Sequence, residues 1–365
     1  MKAILPWGPL QQRLQQRLLA DPQLLPRGEC LLLAVSGGQD SMALTVLLLQ
    51  LRHLHGWELH LWHGNHGWRE QAADQAGELA AWAAGLGLPM RVEQAPAGAA
   101  SASSGREEAG RRWRYERLRE QALSLSCPRV VSGHTGSDRA ETLLFNLARG
   151  CGLRGLSSLR ARRPLCGGIE LVRPLLGFSR AETAAFCEQQ QLPLWLDPSN
   201  ADPRFSRNRL RHEVLPVLED LHPGAWRRLG ALAERLESTQ DLSEELALLA
   251  LTALQTPPAP EAAAGQRGQG SALQRRRLSE LSASSQALLL NLWLERSAGV
   301  RLGARSLEAL RRRLPLSQGP GSLSLPGGRS LHWDRYSLRL QLEPSDHADP
   351  SSRPAAGSAS APTNP

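Results

Sequence analysis

The sequence predicts an α/β fold: a doubly wound, mostly parallel Rossmann-like sheet, followed by a smaller, mainly helical domain with a short β element. Three observations carry this. Between Glu29 and about Cys187 apolar runs alternate with helical patterns, the first of those runs ends in a Gly-Gly loop that opens a helix, and after Pro216 the alternation gives way to helices.

The elements follow in order. Leu10–Leu19 is amphipathic at helical spacing and predicts a helix within an N-terminal segment 1–27. The segment 28–216 then reads as one domain. Its strands are CLLLAV from Cys30, ELHLW from Glu58, MRVEQ from Met90, RVVSG from Arg129 and IELV from Ile169. The intervening helical patterns are Met42–Leu54, Glu70–Leu86, Arg106–Leu125, Asp138–Ala148 and Arg180–Gln190. The small-residue run Ala97–Gly105 predicts a mobile loop over the carboxyl edge of the sheet, or a passive linker. A second domain, 217–343, has helical patterns at Ala225–Leu254, Ser271–Arg296 and Ala304–Leu314, around a low-complexity insert TPPAPEAAAGQRGQG expected to be disordered. SLSLPGGRSLHWDRYSLRLQL alternates at period two around Gly327 and Gly328 and predicts strand, turn, strand. Residues 344–365 read as an unstructured tail.

Composition narrows the class. The 365 residues carry a formal charge of +8, which favours a polyanionic partner such as nucleic acid. Lys2 is the single lysine, so the arginine excess also has a compositional reading. The five scattered cysteines form no C-x-x-C pair, which argues against a disulfide framework, a structural zinc and a thioredoxin-like centre. No apolar run reaches the length of a bilayer span, and a cytoplasmic location is expected.

The loop in LLLAVSGGQDSMALTVLLL sits where a strand enters a helix, so backbone N–H groups and the helix dipole point at one spot and form an anion site. A dinucleotide fingerprint is excluded because no glycine follows Gly38 until Gly56. A triphosphate P-loop is excluded because no lysine follows the glycines. The remaining pattern, Ser36, Gly37, Gly38, Gln39, Asp40 and Ser41, resembles the pyrophosphate-loop ATPases. That resemblance implies ATP binding, cleavage between the α and β phosphates, and Asp40 holding Mg²⁺.

Four further segments, in order, are HGNHGWR, EEAGRRWRY, SGHTGSDRAETLLFNLARGCGLRGL and PLWLDPSNADPRFSRNRLRHEVLPVL. Together with the loop they resemble the tRNA(Ile)-lysidine synthetases, from about Leu31 to Leu218. Two departures stand out: Ser137-Asp138-Arg139 keeps one acid where the family often has two, and Cys151 replaces a serine.

The resemblance implies a ligase that adenylates C2 of the wobble cytidine of tRNA(Ile) bearing a CAU anticodon, after which lysine displaces AMP. The partners implied are that tRNA and free lysine. Negative charge builds at the α-phosphorus, and Arg111 and Arg114 are the candidates to stabilise it, with Arg207 and Arg209 behind them. Free lysine has a side-chain pKa near ~10.4, so a group must hold the ammonium and take its proton; Asp138 and Glu141 are the choice. Asp138 is thus both catalytic and lysine-binding, although acids are also ordinary at a helix N-terminus. His66 and His134 stand at strand ends and have structural readings as well.

The wobble base must leave its stack, and Arg149, Arg154, Arg160, Arg162 and Arg163 could contact phosphate around it, with Arg149, Arg154, Arg207 and Arg209 as the tRNA-binding set. The runs Arg275–Arg277 and Arg311–Arg313 are weaker candidates for gripping a stem. Trp82, Trp226 and Trp293 fall on apolar stripes and predict core. The rivals are a tRNA 2-thiolation enzyme, another pyrophosphate-loop ligase, and a tRNA-binding protein without catalysis. Scattered cysteines count against the first and the intact loop against the last.

Overall fold

The computed structural model describes residues 7–65, 72–96, 106–157, 159–195, 202, 204–256, 272–326 and 328–342. The predicted loop Ala97–Gly105, the insert from residue 257, the tail, His66, Gly327 and the D-x-SN residues Asp197, Ser199 and Asn200 lie outside the described residues. The chain divides into two compact units, Met1–Gln240 and Asp241–Pro365.

The first unit holds a six-stranded sheet. Its strands are β1 (Cys30–Ala34), β2 (Glu58–Asn65), β3 (Met90–Gln94), β4 (Arg129–Ser132), β5 (Arg162–Cys166) and β6 (Ile169–Val172), in the order β3-β2-β1-β4-β6-β5. All neighbours are parallel except β5, which pairs antiparallel with β6 at the edge. The helices are α1 (Pro9–Ala20), α2 (Gln39–His55), α3 (Ala72–Gly85), α4 (Arg106–Ser124), α5 (Gly136–Ala148), α6 (Leu153–Leu156), α7 (Arg180–Gln189), α8 (Ser206–Arg209) and α9 (Leu215–Leu221), with α10 (Ala225–Leu254) following.

The continuous apolar reading of the central strands has a direct cause: both faces are covered. Leu31, Leu33 and Val131 pack into a core with α1, α2, α3 and α7. Leu32 and Val130 pack into a second core with Trp113, Leu118 and Ala122 of α4. The helices therefore lie on both sides, which is the doubly wound arrangement. Strand order reverses between β1 and β4, and a crevice opens outside the carboxyl ends of those two strands. Both polar motifs of the sequence fall there.

The scattered cysteines meet one exception to the expected absence of disulfides: Cys30 and Cys127, 97 residues apart, pair as a disulfide with Cα atoms 4.7 Å apart. Strand neighbours bring them together, so no local spacing announces it.

In the second unit the sheet order is β7-β8-β11-β10-β9, antiparallel throughout, from β7 (Gln255–Thr256), β8 (Ala272–Gln274), β9 (Gly321–Leu325), β10 (Arg329–Trp333) and β11 (Ser337–Leu342). Helices α11 (Arg275–Ser279), α12 (Ala283–Ala298) and α13 (Ala304–Arg311) complete it. The expected continuous helix Ser271–Arg296 is therefore corrected. Ala272–Gln274 is drawn into the sheet by pairing with β7 and β11, and Ser282 caps a fresh start by accepting from the Ser285 N–H at 3.2 Å. The expected strand-turn-strand element also gains a third strand, β11.

The run Arg275–Arg277 changes meaning as well. Arg275 is 1% exposed, and its guanidinium donates to the carbonyl oxygens of Leu314, Asp334, Arg313, Pro315 and Gln318. It ties loops of the second unit together and cannot grip nucleic acid. Arg275→Leu orphans those acceptors, so it is expected to lower unfolding stability by roughly 3 kcal/mol, read as a drop in urea midpoint. An unchanged midpoint would remove Arg275 as the organiser. Trp293 is core as predicted, at 1% exposure. Trp226 is only half-buried, over Gly136.

Candidate active site

The β1–α2 loop closes on itself before any ligand arrives. The Val35 N–H donates to the Trp62 carbonyl at 2.8 Å, carrying the strand ladder to the loop. The Ser41 hydroxyl accepts from the Ser36 N–H at 3.2 Å and donates to the Gly38 carbonyl at 2.9 Å. Gly37 has φ +82°, and a Cβ there would stand 3.3 Å from the Trp195 ring. A side chain at this position is thus disfavoured by backbone and neighbour together. Gly38 is the N-cap of α2, and no side chain caps the first turn. The first-turn N–H groups, left without a side-chain cap, are free to face an anion.

Asp40 is less free than the sequence suggests. Its carboxylate accepts from the Thr183 hydroxyl and faces Arg180 Nη1 at 3.2 Å, both groups coming from α7. Burial raises its pKa, with Asp138 adding to the rise and Arg180 opposing it. The Gln39 amide donates to the Arg180 carbonyl at 2.8 Å and to Asp40 Oδ1 at 3.4 Å, tying the loop to α7. Arg180 and Thr183 were not legible as site residues. The only signal was a helix start, S-R-A-E-T, following a strand.

From the other side, β4 runs into Gly133, where a Cβ would lie 2.8 Å from Ser41 N and 2.9 Å from Asp40 O. The two motifs touch through this glycine, so Gly133→Ala must push the nucleotide loop away. The expected result is a rise in KM for ATP of about tenfold or more with folding retained; an unchanged KM would deny the contact a role. Thr135 then caps α5: its N–H and hydroxyl donate to Asp138 Oδ2 at 2.8 and 2.9 Å. One oxygen of Asp138 is thus ordinary helix-capping chemistry. The other, Oδ1, accepts from Arg211 Nη2 at 3.2 Å.

Arg211 is a third residue that the sequence does not announce. It lies in a π-helical turn, Leu210–Val214, a winding that recurs at functional sites, and it grips Glu141 in a fork with both contacts at 2.7 Å. The Glu141 side chain is only 3% exposed. Burial raises the Glu141 pKa and Asp138 adds to it, while the bonds and charge of Arg211 pull it down. Burial alone would lower the Arg211 pKa, but the carboxylates around it outweigh that and raise it. The two carboxylates chosen for an ammonium do converge, and a guanidinium already bridges them.

Ser36–Ser41, Gly133, Asp138, Arg180 and Arg211 line one cavity of about 470 Å³, together with Trp62, His63, Asn65, Arg114, Tyr115, His134 and Trp195, while Glu141 and Thr183 stand behind that lining, bonded to Arg211 and Asp40. That size suits a small-molecule ligand. Arg114 lines it, whereas Arg111 stands over the Tyr115 ring at 5.6 Å with Arg163 at 4.8 Å. Behind them Arg173, 2% exposed, donates to the Arg160 carbonyl at 2.6 Å, and burial lowers its pKa to about 10. Burial and then Arg173 push His134 down to about 4.

Of the tRNA-binding candidates, Arg149 and Arg207 flank Phe145 at 5.2 and 5.7 Å, and Arg154 is exposed on α6. Arg209 instead forms an exposed fork with Glu213, a pairing of small energetic weight.

Residues 9–218 match the PP-loop domain family. The chain is 49% identical to the tRNA(Ile)-lysidine synthase of Parasynechococcus marenigrum (strain WH8102), over 94% of this chain and 98% of that protein. It is 41% identical to the enzyme of the same name from one strain of Prochlorococcus marinus, over 92% of this chain and 97% of that protein. This chain belongs to the tRNA(Ile)-lysidine synthase family. Among solved structures, the U34-tRNA thiolase NcsA from Methanococcus maripaludis with its [4Fe-4S] cluster aligns with a TM-score of 0.54 over 62% of this chain and 78% of that one, at 18% identity. That likeness is one of fold alone.

The departures from the family pattern have structural roles in this synthase-family chain. Ser137 stands where a second acid is common, and its neighbour Arg139 is buried and bonds Glu237 at 2.5 Å. The Ser137 hydroxyl accepts from the Arg180 N–H at 3.1 Å, fixing the start of α7 that carries Thr183 to Asp40. Among the described residues no helix is long and apolar enough to cross a membrane.

Proposed function

We propose that this chain is a ligase that joins lysine to C2 of the wobble cytidine in tRNA(Ile) of CAU anticodon, through an adenylated tRNA, releasing AMP and pyrophosphate. The observation that carries this reading is the meeting of two motifs at one crevice: the loop Ser36–Ser41 and the Ser132–Asp138 segment line it together and touch at Gly133, with Glu141 tied to Asp138 through Arg211.

The loop N–H groups and the α2 dipole take the departing pyrophosphate. Arg114, with Arg111 behind it on Tyr115, opposes the charge that builds at the α-phosphorus. Asp40 and Asp138 bring carboxylate oxygens to the cavity, and burial strains the Asp40 charge, so this pair fits a hard cation such as Mg²⁺. Asp40 and Asp138 would hold it, and when bound it would neutralise phosphate charge. Arg211 ties Glu141 to Asp138 on the cavity wall and opposes the burial that raises the Glu141 pKa, so the pair offers carboxylate charge to receive the lysine ammonium and take a proton from it. Arg149 and Arg207, both held near the Phe145 ring, and Arg154 offer charge to the anticodon loop. A cytoplasmic enzyme follows from that substrate.

The test is incubation with ATP, labelled lysine and tRNA(Ile) of CAU anticodon. Label in the tRNA with equimolar AMP is expected, and absence of label with Mg²⁺ present would sink the reading. The rate should also depend on pH in a definite way. Asp40 and Glu141 are easier to protonate folded than unfolded, so each favours folding most below the ordinary carboxylate pKa and loses that contribution as pH rises through its raised value. Catalysis needs both ionised, so the acidic limb of kcat/KM is expected above the ordinary carboxylate range. His134, held neutral down to about 4, should add no limb near its usual value. A limb near 6.5 that vanished in His134→Gln would contradict this.

A further inference from the structure

At the amino-terminal edge of the first sheet, the end opposite the nucleotide loop, four metal-ligating side chains gather. Cys30 opens β1 and is the register partner of Glu58, which opens β2; His60, two residues on, faces the same side. Cys30 Sγ, a carboxylate oxygen of Glu58 and a ring nitrogen of His60 all lie within 4.8 Å of one another. Cys127, just before β4, is in contact with Cys30 from the other flank. The His60 Nε2 to Glu58 Oε1 contact of 2.8 Å shows both groups turned to one point.

We propose that, once the Cys30–Cys127 disulfide is reduced, this cluster binds a thiophilic divalent cation of the zinc class through two thiolates, the His60 imidazole and the Glu58 carboxylate. Two sulfurs, one nitrogen and one oxygen make a four-donor set suited to tetrahedral Zn²⁺. Cys127 is 1% exposed while the Glu58 side chain is 73% exposed, so the site has a dry floor and an open entrance. The parallel β1–β2 pairing fixes three of the donors. A dithiol reductant supplies two electrons and two protons, breaking the S–S bond and becoming a disulfide itself. Cation binding then releases both thiol protons to solvent. The oxidised pair has no thiolate to offer, so occupancy is gated by redox state. The claim is independent of the ligase reading, since none of the four residues lines the nucleotide cavity.

The full-length protein, reduced by a phosphine and freed of it under anaerobic conditions, is titrated with Co²⁺. One equivalent should give thiolate-to-cobalt charge transfer in the near ultraviolet and tetrahedral d–d bands, displaced by Zn²⁺. The bands should be absent from protein left oxidised and lost in Cys30→Ser and Cys127→Ser. His60→Asn should weaken Co²⁺ binding about 10–100-fold with circular dichroism unchanged. No charge-transfer band in the reduced protein overturns the proposal, as does a band that survives in Cys30→Ser. Should the variants misfold, the reduced and oxidised native proteins decide: equal spectra overturn it.

Discussion

Asp40→Asn is expected to lower kcat/KM for tRNA modification by at least about 10²-fold, near the loss seen when one preorganised electrostatic group is removed from an active site. Asparagine keeps the volume and can still accept from the Thr183 hydroxyl, so the packing of α2 against α7 survives. What disappears is the charge facing Arg180 and the cavity. Asp40→Ala, which also loses that hydrogen bond, should abolish AMP formation. A rate within twofold of the native enzyme in the asparagine variant would show that Asp40 is a structural tie between α2 and α7 and no more.

Arg211→Ala should split the two halves of the reaction. Without the guanidinium, Glu141 is a nearly inaccessible carboxyl beside Asp138, with burial and like charge both acting to keep it protonated. With that carboxylate no longer available as a base, lysine transfer should fall on the order of 10²-fold or more. Formation of adenylated tRNA in the absence of lysine should fall far less, since the loop and Arg114 are untouched. Equal losses in both half-reactions would place Arg211 in the fold and not in the lysine site. Arg211→Lys, which keeps the charge but not the fork, should recover part of the transfer rate.

The contrast between Asp138 and Arg211 shows how far the sequence reaches. The central strands were readable because burial on both faces leaves a continuous apolar run, and β1 and β4 were found by that signal alone. The loop Ser36–Ser41 was readable because its chemistry is local. Arg211 was not. Arg207, Arg209 and Arg211 stand in one short basic run, and only the tertiary path through the π-helical turn decides that Arg211 reaches Glu141, Arg207 flanks Phe145 and Arg209 turns to Glu213. Thr183 and Arg180 were hidden for the same reason, being brought to Asp40 by packing of α7 on α2. Strand β5 escaped notice because RRPLC carries two arginines and a proline, tolerable at a sheet edge and uncharacteristic of a central strand. Arg275 read as a surface charge because nothing in R-R-R-L-S announces five backbone carbonyls converging on its guanidinium.

The central claim is that the crevice holds pyrophosphate as it leaves while the wobble oxygen is activated. It is tested most directly by following that oxygen. With tRNA(Ile) of CAU anticodon carrying ¹⁸O at C2 of the wobble cytidine, one turnover with ATP and lysine should deliver the heavy oxygen to the phosphate of AMP, with unlabelled pyrophosphate. Heavy oxygen retained in the tRNA, or found in pyrophosphate or orthophosphate, would contradict the account.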